Sequence, residues 1–146
     1  MDSSSGRRWS GFRIPWRAAA AGIPLSVVYL LIYWITATFV LMVRPSWTFK
    51  YTVTIPFALV VVLTVVNAIV EELVVTRLVI GALGRPGIFA SAILRSAWHL
   101  VLGPLAAVSV FPVGLLFAAL YWQRRTIWPL AVAQTLANIA IFALAP

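Results

Sequence analysis

Five of the polar side chains that interrupt apolar stretches of this sequence have types that suit the activation of water. Glu71 and Glu72 are adjacent, His99 follows Glu72 by 27 residues, and Gln134 precedes Asn138 by four. A carboxylate and an imidazole can together hold and deprotonate a water molecule. Side-chain amides can donate hydrogen bonds to the oxyanion that forms when this water attacks a carbonyl. The residues therefore predict hydrolysis of an amide bond.

The surroundings of these side chains favour a functional site over a purely structural one. The 146 residues are 63% hydrophobic and 10% charged, so lipid is expected to cover most of the exterior. A charge in the middle of a membrane costs on the order of 3 kcal/mol, yet two of the three acids lie within apolar stretches. Hydrogen bonds that only hold helices together do not require a pair of carboxylates. Gln134 and Asn138 could make bonds of this kind.

Five apolar stretches must position these residues. A helix needs about 20 apolar residues to cross the hydrocarbon core. The predicted spans cover residues 23–43, 54–83, 87–102, 105–122 and 127–144, and a tight reversal is expected at Gly103 and Pro104. The sequence therefore predicts an all-α, polytopic membrane bundle of about five transmembrane helices.

The basic residues predict the orientation of the bundle. The net charge is +8, and arginines precede the first span or occupy two later gaps: Arg7, Arg8, Arg13, Arg17, Arg85, Arg124 and Arg125. This distribution places the amino terminus in the cytoplasm and argues against a nucleic-acid partner. We expect residues 1–22 to form a basic and aromatic cytoplasmic segment and residues 23–146 to form the transmembrane domain.

Helix geometry predicts which polar residues meet. At about 1.5 Å per residue, Glu71, His99 and Asn138 lie about 18 Å from the cytoplasmic side, with Gln134 one turn shallower. Residues four apart share a helix face, as do Asn67 and Glu71.

The two glutamates, being adjacent, are expected to point about 100° apart. One can then face a cavity while Glu72 pairs with Arg95 of a neighbouring helix. Arg77, near a helix end, is expected to reach the lipid headgroups.

Other chemistries fit these residues less well. The chain has no cysteine and one histidine, so neither a thiolate site nor a histidine-rich zinc site is available. The sequence predicts no resident cofactor, with a divalent metal such as zinc at Glu71 and His99 as the less favoured alternative. A small transporter or proton relay is a weaker alternative, because acids and histidine within membranes also serve that role.

The order Glu71-Glu72, His99, Gln134-x-x-x-Asn138 resembles the CPBP family of intramembrane proteases. That family includes the CAAX endopeptidases, which trim prenylated proteins, and the Abi-like bacteriocin-processing and immunity proteins. Residues 91–99 resemble its second motif, and residues 114–121 through 128–130 resemble the approach to its last motif. The resemblance runs from about residue 70 to the end, within an expected core of about 54–146.

The resemblance implies a role for each motif residue. It makes Glu71 the base, lets His99 help to bind the water, and gives the oxyanion contacts to Gln134 and Asn138. Substrates would be membrane-embedded or membrane-tethered peptides. The protein is expected in the lipid bilayer of a bacterial cytoplasmic membrane, as a multi-pass protein that could need a second copy or a membrane partner.

Three positions depart from the family pattern. Thr76 stands where the family commonly has arginine, and Arg95 stands where many members have phenylalanine, although arginine there is similar to an actinobacterial branch. Gln134 replaces the second histidine, and glutamine can donate a hydrogen bond but cannot carry a proton. Two hypotheses follow: an intramembrane endopeptidase, or a catalytically impaired relative that acts as a membrane binding or immunity protein.

Overall fold

The computed structural model describes residues 15–47 and 56–144, and within these ranges every regular element is a helix. The elements are α1 (Trp16–Ala20), α2 (Gly22–Val43), α3 (Phe57–Glu71), a π-helix (Glu72–Leu78), α4 (Val79–Leu83), α5 (Gly87–Trp98), a 3₁₀ turn (His99–Leu102), α6 (Pro104–Arg124) and α7 (Trp128–Leu144). The predicted all-α bundle is confirmed. Residues 1–14, which make up most of the predicted amino-terminal segment, lie outside the described residues.

Three continuous helical stretches are long and apolar enough to cross a membrane: Trp16–Val43, Phe57–Leu83 and Pro104–Arg124. Two shorter apolar helices, Gly87–Leu102 and Trp128–Ala143, complete the bundle. Together with their composition, these helices identify an integral membrane protein.

The first helix begins earlier than predicted, at Trp16 rather than at residue 23. Pro15 precedes it in an extended conformation, and four alanines, which favour helix, follow Arg17. The final residues of the predicted amino-terminal segment are therefore helical.

The second long helix contains a π-helix at the level of the acids. The π turn begins at Glu72, directly after Glu71, and its buried residues are Glu72, Val75 and Thr76. A π turn is wider than an α turn and is frequently found at functional sites. The regular helical phase assumed from the sequence therefore does not hold beyond Glu71.

Helices α5 and α6 form a close hairpin. The last turn of the predicted third span tightens to 3₁₀ at His99, and Gly103 closes the reversal with φ +104°, which favours glycine. Gly114 lets the two helices approach, because a Cβ there would lie 3.1 Å from the Cα of Ala92. The same Cβ would lie 3.2 Å from the Cδ of Arg95. The hairpin therefore holds the Arg95 side chain against α6.

The remaining helices enclose the polar residues. α7 packs against α2 and α3, and α2 packs against α6. Gly22 makes the contact between α2 and α7 possible, because a Cβ there would lie 2.6 Å from the carbonyl oxygen of Pro129. Glu72, Arg95 and Gln134 are consequently inaccessible, each with 0% of its surface exposed.

Candidate active site

Arg95 occupies the centre of a buried polar cluster. Its Nη2 lies 2.6 Å from Oε1 of Glu72, and its Nη1 lies 3.1 Å from Oε1 of Glu71. The structure thus contains the ion pair between Arg95 and Glu72 that the sequence suggested. It differs from expectation in that Glu71 reaches the same guanidinium, from the residue just before the π-helix.

Gln134 joins the arginine to the first glutamate. Arg95 Nη1 donates to Gln134 Oε1 over 2.8 Å, and Gln134 Nε2 donates to Glu71 Oε2 over 2.6 Å. These two bonds fix the orientation of the amide, because its oxygen must face the donor and its nitrogen the carboxylate. One hydrogen of the Gln134 NH₂ group remains available to a further acceptor.

Two further side chains of the same long helix add hydrogen bonds to the cluster. Asn67 Nδ2 donates to Glu71 Oε2 over 3.3 Å, as expected for residues four apart. Thr76 Oγ1 accepts from Arg95 Nη2 over 3.0 Å. The cluster therefore draws on α3, the π-helix, α5 and α7.

Two carboxylate oxygens in the cluster have spare capacity. Glu71 Oε1 and Glu72 Oε2 are buried without a hydrogen-bond partner in the described part of the chain. Glu71 Oε1 contacts Arg95 by charge alone, since its 3.1 Å approach does not meet hydrogen-bond geometry. Buried acceptors left unpaired are unfavourable, so each of these two atoms has the capacity for a further hydrogen bond.

His99 is connected to the cluster through the backbone. Its Nδ1 lies 2.9 Å from the carbonyl oxygen of Arg95. Because a carbonyl can only accept, Nδ1 must carry the proton, which leaves Nε2 as the acceptor of the neutral ring. Within residues 15–47 and 56–144, no hydrogen bond or ion pair joins His99 to a glutamate.

Two predicted site residues occupy less buried positions than the cluster. Asn138 lies one turn beyond Gln134 on α7 and is half-buried. Arg77 lies on the exposed side of the π-helix. The structure therefore brings together Glu71, Glu72, Arg95 and Gln134.

Two residues that contact Arg95 were not among the predicted site residues. Thr76 carried a usable signal, since it follows Glu72 by four residues and thus shares its side of the helix. Phe117 carried none, because it is one apolar residue in an apolar helix. Its ring centroid lies 5.3 Å from the Arg95 Cζ, within the range of a cation–π contact.

The donor set of the cluster does not fit a resident metal ion. Among the described residues, no three histidine, aspartate or glutamate side chains are grouped as metal ligands. Both glutamates instead contact the Arg95 guanidinium, and a divalent cation on them would lie beside that positive charge. Catalytic zinc sites usually present three protein ligands, which this cluster lacks.

Comparison with known protein families gives a match to most of the chain. A family model described as Rce1-like, type II CAAX prenyl endopeptidase Rce1-like, matches residues 52–140. This segment covers more than half of the chain and includes every residue of the cluster. The curated proteins and the solved structures contain no significant match.

Proposed function

Because the chain belongs to the Rce1-like family of type II CAAX prenyl endopeptidases, we propose that it is an intramembrane endopeptidase. Its substrate is a membrane-tethered peptide, and Glu71 and His99 activate the attacking water. The observation that carries this proposal is the buried Glu71 Oε1, an acceptor that has no hydrogen-bond partner among the described residues and lies beside a fixed amide donor.

The first step is the attack of water on the substrate carbonyl. Glu71 Oε1 takes one proton of the water, while the His99 Nε2 lone pair accepts its other hydrogen and orients it. The free N–H of Gln134 and the amide of Asn138 donate to the oxyanion that forms on the former carbonyl oxygen.

The second step breaks the carbon–nitrogen bond. The tetrahedral intermediate collapses, and Glu71 returns its proton to the departing amine. The products are a peptide with a new carboxyl group, which then loses its proton to water, and a peptide with a new amino terminus. The donor set leads us to propose that this cycle needs no resident metal.

One observation favours a second candidate, an impaired relative that binds but does not cleave. Both ends of the Gln134 amide are already bonded, to Arg95 and to Glu71. Glutamine also cannot supply the positive charge of a protonated histidine. A protein that binds tethered peptides without producing fragments fits this candidate.

The test is peptide cleavage by the purified protein in liposomes, with products identified by mass spectrometry. Peptides bearing a prenylated cysteine, the substrates that the family description names, are compared with acylated and single-span peptides. A metal chelator is expected to leave the rate unchanged. Absence of cleavage with every peptide would overturn the peptidase proposal.

His99→Ala is the variant that tests the proposed water site. We expect it to lower kcat by about 100-fold, the usual contribution of a positioned acid or base. Leu100→Ala is the matched control, because Leu100 is the next residue and its side chain is 58% exposed. Equal rates for His99→Ala and the control would exclude a role for the imidazole.

A further inference from the structure

The three positions at which the chain departs from the family pattern meet at one guanidinium. Thr76 lies on the π-helix, Arg95 on α5 and Gln134 on α7. Arg95 Nη2 donates to Thr76 Oγ1 over 3.0 Å, and Nη1 donates to Gln134 Oε1 over 2.8 Å. Residues far apart in sequence are therefore direct neighbours in the bundle.

The arginine supplies positive charge to two buried carboxylates. Glu71 is 2% exposed and Glu72 is 0% exposed, and Arg95 contacts both. Thr76 is short enough to leave room for the guanidinium. An arginine at position 76 would place a second guanidinium in the space that the Arg95 guanidinium occupies, because Thr76 Oγ1 already lies 3.0 Å from Arg95 Nη2.

Glutamine suits position 134 because of the same arginine. The side chain there must accept from Arg95 and donate to Glu71, and an amide does both. A protonated imidazole donates from both nitrogens and cannot accept from Arg95. With Arg95 in place, a histidine at 134 is therefore restricted to its neutral form.

The fold provides a fitted place for the Arg95 side chain. Gly114 leaves space beside its Cδ, where a Cβ would approach to 3.2 Å. The Phe117 ring lies 5.3 Å from its Cζ. The guanidinium thus has a defined position and acts on both glutamates and on Gln134 together.

We propose that Arg95 is a positioning residue, and that Thr76, Arg95 and Gln134 form one unit whose members must be exchanged together. Arg95 holds the two carboxylates and turns the Gln134 NH₂ group toward Glu71, where the oxyanion donor is needed. The catalytic consequence rests on the proposed peptidase function, whereas the structural coupling does not.

Thermal stability in detergent tests the coupling without any substrate. The set is Thr76→Arg, Arg95→Phe and the double variant, with Leu94→Phe as control because Leu94 is 43% exposed beside Arg95. Each single variant is expected to lower the melting temperature, and the double variant to regain most of the loss. A double variant whose loss equals the sum of the single losses would overturn the coupling.

Arg95→Lys keeps the test decisive where the other variants fail to fold. A lysine retains the charge, but its ammonium cannot reproduce the planar fork that binds Thr76, Glu72 and Gln134. We expect a folded protein whose kcat falls by about 100-fold with little change in KM, since a displacement of about 1 Å has this effect. A wild-type kcat in Arg95→Lys would contradict the positioning role.

Gln134→His tests the exchange of the third member. In the native background we expect lower kcat. The neutral ring accepts from Arg95 and has a single N–H, which Glu71 accepts, so no N–H is left for the oxyanion. In the Thr76→Arg, Arg95→Phe background we expect a kcat at least equal to that of the same background with Gln134. The same fold-change in both backgrounds would overturn the proposal. If no protein in the set cleaves any peptide, the peptidase function fails, and the melting temperatures still decide the coupling.

Discussion

The residues of the cluster differ in how much their loss disturbs the remaining contacts. Arg95 faces two carboxylates, so its removal leaves two buried negative charges without their common partner. Glu72 is less critical, because Arg95 would keep Glu71 and a glutamine could still accept from Nη2. The charge of each residue alone does not reveal this difference, which follows from the shared contacts.

Arg95→Met is therefore expected to destabilise the protein far more than Glu72→Gln. Breaking a buried ion pair from one side costs about 3–5 kcal/mol, whereas loss of one charged hydrogen bond costs at most about 3 kcal/mol. Unfolding in mixed detergent, followed by circular dichroism, measures both free energies. Equal losses for the two variants would contradict the central place of Arg95.

The sequence was sufficient to predict one contact within a helix and one contact between helices. The bond between Asn67 and Glu71 follows from their spacing, and the pair of Arg95 with Glu72 follows from depth and charge. The bond between Arg95 and Gln134 could not be predicted, because depth along the bilayer normal does not tell which helices are neighbours.

At the scale of elements, the π-helix and the hairpin of α5 and α6 decide the geometry of the cluster. The π-helix that starts at Glu72 sets the direction of the second glutamate and of Thr76. The hairpin of α5 and α6 sets the position of Arg95, and Gly114 is the point of closest approach. The spans that contain these elements were predicted. The π turn was not, because the apolar residues on either side of it fit an α-helix equally well.

Gly114→Val is expected to separate α5 from α6 and displace Arg95. Its Cβ alone would meet the Ala92 backbone at 3.1 Å, and overpacking of this kind costs about 1–3 kcal/mol. We expect a lower melting temperature together with reduced kcat. Leu115→Val, at the next and half-buried position, is the control. Unchanged kcat in Gly114→Val would show that the hairpin does not position Arg95.

At the scale of the whole molecule, charge and length carry different information. The length and composition of the helices were enough to predict a membrane bundle. The exposed arginines Arg17, Arg85, Arg124 and Arg125 lie near helix ends or in the loops between helices. The side of the bilayer on which these arginines lie is a prediction from charge. That the chain crosses the membrane five times is also a prediction.

The absence of cysteine from the sequence allows a direct test of orientation. Single cysteines at the exposed positions Ser46 and Gln123, beyond α2 and near the end of α6, are labelled in intact cells with a membrane-impermeant maleimide. With the amino terminus in the cytoplasm, Ser46→Cys should react in intact cells and Gln123→Cys only after lysis. The reverse pattern would show the opposite orientation.

The most direct test of the proposed water activation is the effect of Glu71→Gln on hydrolysis in liposomes. The substituted amide keeps nearly the same shape as the carboxylate but cannot take a proton from water. We predict a fall in kcat of about 100-fold to 10,000-fold, the range of general base catalysis. Val74→Ala, on the same long helix and 47% exposed to lipid, should retain the wild-type rate. Cleavage by Glu71→Gln at that same rate would contradict the proposal that Glu71 activates the water.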